Sequence, residues 1–181
     1  MSTPTRRALD TLFDYFEAGQ TAGAITPDRV QDLVQSLIPG FARISSNGES
    51  NATNITEANQ WTRVDLTTTL AANARGMTMP QSNRILCGCP VPAIGIIDAT
   101  VSIQSANNQT FQIAIAKNGT IESESVETIK IGSGGDSVSV SMHADIEQVS
   151  GDYIELYIRN TGTTENPTVS GLYLRDVAWV L

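Results

Sequence analysis

Along residues 94–181 apolar and polar positions alternate in one short run after another, each run closed by Gly, Asn or Asp. A period of two puts successive side chains on opposite faces of an extended chain, so the pattern predicts antiparallel strands half buried in a β-sandwich. The clearest run is 111–117, with Phe111, Ile113 and Ile115 on one side and Gln112, Ala114 and Ala116 on the other. Asn118-Gly119 follows at once. The central residues of a two-residue hairpin turn need positive φ, which Asn and Gly tolerate best, so strand, turn and strand are predicted here. The Thr-, Val- and Ile-rich run 120–131 reads as the returning strand, and Gly132-Ser133-Gly134-Gly135-Asp136 reads as a loop too flexible to continue a ladder.

Beyond that loop Val138, Val140 and Met142 alternate with Ser137, Ser139, Ser141 and His143. After Ser150-Gly151-Asp152, Ile154, Leu156 and Ile158 alternate with Tyr153, Glu155, Tyr157 and Arg159. Both runs are expected to be half-buried antiparallel strands. The last strand, 169–181, carries Leu172, Leu174, Ala178 and Val180 on one face and Tyr173, Arg175, Val177, Trp179 and Leu181 on the other. That second face is too apolar for open solvent. Tyr153, Tyr157, Tyr173 and Trp179 are therefore candidate contacts between copies of the chain; the competing reading is that they decorate the surface or cover a loop.

The first forty residues differ in kind. Thr3 or Thr5 can cap a helix with Pro4 near its first turn, and Ala8, Leu9, Leu12, Phe13 and Phe16 repeat at three- and four-residue spacing until Gly19 and Gly23 break the pattern. A second helix is signalled by Thr26-Pro27-Asp28: cap, first-turn proline, and an acid near the positive end of the dipole. Val30, Leu33, Val34 and Leu37 form its apolar stripe, and Pro39-Gly40 ends it. Helices this short do not persist alone, so they fold back on the sandwich, dock onto a larger assembly, or bundle with their copies. The expected organisation is a helical attachment segment, 1–40, and a β-sandwich domain, 41–181. Residues 40–60 read as a turn-rich connector, and Trp61-Thr62-Arg63-Val64-Asp65-Leu66 as the first sandwich strand.

Composition narrows the function more than it names it. The 181 residues are 40% hydrophobic and 17% charged with a formal net charge of -8, which fits a folded chain rather than a disordered one. With 11 Lys plus Arg and no basic cluster longer than Arg6-Arg7, a nucleic-acid groove is not expected, because it would have to neutralise phosphates. No run is long and apolar enough for a membrane helix, and Met1 is followed by Ser-Thr-Pro and two arginines rather than the apolar stretch of a signal peptide. Synthesis in a cytoplasm without membrane insertion is the expectation. Asn-x-Ser/Thr triplets at Asn51, Asn54, Asn108 and Asn118 then read as turn and loop chemistry rather than glycosylation sites.

Candidate chemistry is sparse. Cys87 and Cys89, separated by Gly88, are expected as buried free thiols in or beside a strand, since a disulfide across one residue of extended chain would be strained. One histidine and one cysteine pair do not make a zinc site. The Gly132–Asp136 loop with Asp145 and Glu147 could offer oxygen ligands to calcium, but its spacing matches no defined motif. No nucleophile elbow, phosphate loop, dinucleotide fingerprint or His-Glu-x-x-His pair is present, and His143 lies in a serine-rich strand. No enzyme and no cofactor are expected.

The runs VSIQSANNQTFQIAIAKNGT, IGSGGD and SGDYIELYIRNTGTTENPTVSGLYL form an ordered series that resembles a module of tailed-bacteriophage structural proteins. That module is similar to the trimeric jelly roll of the tumour-necrosis-factor and complement globular-head class. The likeness covers 94–181, and the segment Ile25 to Val34 resembles stretches that precede such modules in phage fibres. Cys87-Gly88-Cys89-Pro90 has no place in the pattern. The resemblance implies a jelly-roll homotrimer on the exterior of a virion. Leu9, Leu12, Phe13, Phe16, Val30, Leu33, Val34 and Leu37 would supply virion attachment, and the partner would be the major capsid protein or another virion protein. Capsid decoration, as a cement protein on the head, competes with a receptor-binding tip of a head or tail fibre that would touch a host-surface glycan or protein. An ordinary cellular binding module or enzyme is the third reading.

Overall fold

The alternating runs pair into two antiparallel sheets in the computed structural model, which describes residues 40–180 except 47, 49, 90, 134 and 135. In chain order the strands are β1 (Gly40–Ser45), β2 (Asn51–Ala52), β3 (Thr62–Arg63), β4 (Thr69–Leu70), β5 (Met77–Thr78), β6 (Arg84–Cys87) and β7 (Ala93–Gln104). They continue as β8 (Thr110–Lys117), β9 (Thr120–Ile121), β10 (Glu127–Lys130), β11 (Val138–Gln148), β12 (Tyr153–Asn160) and β13 (Thr168–Val180). The helices expected in the first forty residues, with all eight attachment candidates, lie outside the described residues.

One sheet runs β11-β7-β13-β1-β4 and the other β10-β8-β12-β6-β5. Strands of four or more residues therefore switch sheets in the order of a jelly roll: first, third, sixth and eighth in one layer, second, fourth, fifth and seventh in the other. The inner faces supply the core. Ile97, Val101, Ile103 and Leu174 from the first sheet and Phe111, Ile113, Ile115, Ile154, Leu156 and Ile158 from the second are fully buried. Each such side chain contributes about 1.5–3 kcal/mol relative to leaving it in water.

The hairpin after β8 forms as expected. Lys117 pairs with Thr120, and Asn118 and Gly119 have φ of 53° and 78°. Asn108, in another of the four triplets, also sits at positive φ, which is turn chemistry. Two expectations need correction. The run 120–131 is not one strand: a 3-10 turn at Ser123–Ser125 separates β9 from β10, and the Ser125 hydroxyl takes the Ile115 N–H at 2.9 Å where a ladder partner would have been. On the other face of β8, Ala114 and Ala116 are wholly buried as well. The first sandwich strand is β1, inside the stretch read as a connector, where Gly40 to Ser45 pair in register with Ala178 to Tyr173; only Thr62–Arg63 of the expected strand joins a sheet, as β3 against β12.

Candidate interaction surface

Pairing register places side chains across the outer face of the β7/β13 sheet in rows. At one end lie Ile94 and Trp179, then Ile96, Val177 and Phe41. Trp179 is 53% exposed and Val149, in the turn beyond β11, is 50% exposed. The next row is charged: His143, Asp98, Arg175 and Arg43. Further along come hydroxyl rows in which Thr100 meets Ser141 at 3.1 Å and Ser102 meets Ser139 at 2.6 Å. This face thus grades from apolar to charged to hydroxyl along the strands.

The charged row is an ion cluster. His143 Nδ1 lies 3.0 Å from Asp98 Oδ1 and its Nε2 lies 3.3 Å from Asp145 Oδ1, while the Arg175 guanidinium also binds Asp98. Hydrogen bonding to Asp98 raises the His143 pKa above the ordinary histidine value, and that same bond, with Arg175, lowers the pKa of Asp98. Both ring nitrogens face carboxylates. Such a histidine favours the charged form and has no nitrogen left to activate a serine, so its place in a serine-rich strand does not make a triad.

The opposite outer face is organised by Glu155, whose side chain is wholly buried although it points away from the core. Arg84 binds it through Nε at 2.9 Å and Nη2 at 2.8 Å, and Arg63 through Nη1 at 3.1 Å. Arg84 also stacks on Tyr153 at 3.9 Å, and Arg159 lies 4.6 Å over Trp61. Burial and the nearby Glu155 charge raise the Tyr157 pKa. Guanidinium groups of the same chain therefore cover much of this face.

The structure separates the four contact candidates into two pairs. Tyr153 and Tyr157 stand on β12 and half-bury against the arginines of their own chain; Tyr173 and Trp179 stand on β13, on the other sheet. They do not make one patch. Ile94, Ile96, Val177 and Phe41 join Trp179 instead; Val177 was already placed on that face by the alternation of the last strand, whereas nothing in the sequence pattern singled out Ile94, Ile96 or Phe41.

Cys87 and Cys89 are free and buried. Both turn inward, with the Cys89 N–H donating to Cys87 Sγ at 3.3 Å. Hydrogen bonding between the thiols lowers the pKa of Cys87 and raises that of Cys89. Among the described residues no three His, Cys, Asp or Glu side chains group as metal ligands; Asp145, raised as a calcium candidate, is engaged with His143.

No protein-family model matches the sequence, and no curated protein matches it. Solved structures do. Murine APRIL at pH 5.0 superposes over 77% of this chain and 98% of its own with a TM-score of 0.50 at 16% identity. Eiger TNF from S. frugiperda covers 77% of this chain and 92% of its own, with a TM-score of 0.53 at 12% identity. The globular domain of zebrafish complement 1qA overlays more loosely, at a TM-score of 0.42, 14% identity and 78% and 97% coverage. The first two likenesses show the fold alone, a TNF-like jelly roll.

Proposed function

We propose that this chain is a non-enzymatic structural protein that assembles as a homotrimer through the outer face of the β7/β13 sheet and decorates the exterior of a bacteriophage capsid as a cement protein. The observation that carries the assembly is the apolar end of that face, where Trp179, Val177, Ile94 and Ile96 stand together beside the exposed Val149. Large apolar side chains concentrated at one sheet end are what an interface core needs, and the charged row next to them suits its polar rim. The opposite face is a weaker candidate because Tyr153 and Trp61 already stack on Arg84 and Arg159 of the same chain. The virion assignment is supported by the ordered motif series in 94–181. Residues 1–40 would supply attachment, since the chain enters β1 at Gly40, directly across the ladder from Ala178 and so at the apolar end of the sheet.

Light scattering on the full chain tests the assembly. A threefold mass at micromolar concentration is expected, and Trp179→Glu combined with Val177→Asp should reduce it to that of one chain without loss of the β-sheet circular dichroism signal. A wild-type protein that runs as a monomer would overturn the trimer, and a variant that remains trimeric would move the interface to another face.

A further inference from the structure

Asp176 lies on the inner face of β13, in the row of Leu174 and Ala178, and is wholly buried. A carboxyl group in a sandwich core demands partners, because an unpaired polar atom there costs its full desolvation. Its partner is Gln148, the last residue of β11, which is also buried; Gln148 Nε2 donates to Asp176 Oδ2 at 2.8 Å. The remaining oxygens of the same two groups, Asp176 Oδ1 and Gln148 Oε1, are both shielded from solvent and lack a hydrogen-bond partner. Neither a carboxylate nor a carboxamide oxygen can donate. An amide and an ionised carboxylate can therefore share one hydrogen bond, whereas an amide and a neutral carboxylic acid can share two, N–H to O and O–H to O. The pair is short of one hydrogen.

We infer that Asp176 is held as the neutral acid in the folded protein, its proton on Oδ1 donated to Gln148 Oε1, so that folding near neutral pH takes up a proton and the sandwich is stabilised by acidification.

The surroundings fit. Opposite Asp176 stand Ala42 on β1 and Ile97 on β7, both apolar. On β7 the neighbouring Gly95 makes room for the pair: a Cβ there would fall 1.8 Å from Gln148 Nε2 and 2.8 Å from Asp176 Oδ1. The titratable groups that feel Asp176 are the thiols of Cys87 and Cys89, near the end of β6, whose ionisation its negative charge would disfavour. No cation contributes to its own titration; burial pushes its pKa up to about 7 against the opposing Gln148 amide. An unfolded aspartate titrates near ~3.9. With the folded pKa the higher one, the stabilisation is fully present below about pH 4 and is lost as pH rises through about 7.

Thermal unfolding of the full chain and of Asp176→Asn, from pH 5 to pH 8.5 at fixed protein concentration, tests this. The variant supplies the missing donor at every pH, since two amides can pair through both arms. Subtracting the two curves removes other groups, His143 among them, whose raised pKa gives a trend of the same sign. Expected is a difference that shifts by roughly 4 °C or more in favour of Asp176→Asn between pH 5 and pH 8.5. A difference that does not change with pH would overturn the inference, because it would mean an ionised Asp176 satisfied some other way, as by an enclosed water. Should the variant not fold, carboxyl carbon NMR of the wild-type protein decides. An aspartate resonance titrating near neutrality supports the inference, and aspartates that all titrate below about pH 5 refute it.

Discussion

Asn160 shows how far a single polar side chain can build local structure. It ends β12 and is buried, its Nδ2 donates to Gln109 Oε1 at 3.0 Å and Thr163 Oγ1 at 2.9 Å, and its Oδ1 accepts the N–H of Gly162 at 3.0 Å and of Thr163 at 3.1 Å. The loop 161–167 is thereby held as a shaped surface. Asn160→Ala strands two backbone donors and should lower stability by about 2 kcal/mol, read by urea unfolding, with faster amide exchange across that loop. Unchanged exchange would mean the loop is held by its other contacts, such as Asn166 Oδ1 accepting the Ile55 N–H at 2.7 Å. At this scale the sequence was a partial guide. Asn118 and Gly119 declare their turn because φ is a local property. The burial of Glu155 and Asp176 is not local: it depends on Arg63, Arg84 and Gln148, residues that only the folded sheets bring near. A cue existed for Asp176, which interrupts the row Leu172, Leu174, Ala178 with a charge.

Among the elements, legibility followed length only in part: the 12-residue β7 was not singled out as a strand, although its buried positions alternate along its whole length. The strands β8, β11, β12 and β13 are long enough for the period of two to rise above chance, and the pattern located all four. Two-residue strands carry no period. β3, β4 and β5 exist because a neighbour offers an edge, and β1 was hidden by the Pro39-Gly40 stop just before it. The interruption between β9 and β10 went unseen for a related reason: Thr, Val and Ile composition favours extended chain but does not say where it leaves the ladder. Local chemistry at the β8–β9 turn yields a sharper expectation. Asn118 does more than adopt positive φ: its Nδ2 donates to Asp152 Oδ1 at 2.6 Å and its Oδ1 accepts the Tyr153 N–H at 2.9 Å, tying this turn to the one between β11 and β12. Gly119 has φ of 78° and open space around it, a Cβ reaching no closer than 3.5 Å to Tyr157. Gly119→Ala should thus cost about 1 kcal/mol through backbone conformation alone, seen as a lower denaturation midpoint with unchanged slope. A neutral substitution would show that the turn relaxes without strain.

At the scale of the whole molecule the described residues form two packed sheets with apolar surface gathered at the end where the chain enters β1. Such a body can act mechanically or by recognition, and under the proposed virion role its removal from the particle would separate the two. A decoration protein that binds the assembled shell across neighbouring subunits adds its binding free energy to the shell and not to the dissociated subunits. Particles lacking it should therefore release their genome at a lower temperature while adsorbing to cells as before. A fibre tip has the opposite signature, because its loops, 161–167 among them, would meet the host surface and its loss would leave the shell untouched. Adding purified trimer back to depleted particles sharpens the comparison: the melting temperature should rise with trimer concentration and saturate, and protein lacking residues 1–40 should fold, trimerise and fail to restore it. Depleted particles of unchanged thermal stability that no longer adsorb would exclude the cement role and assign the same trimer to receptor binding. If the truncated trimer restores stability as well as the intact one, attachment lies on the sandwich itself.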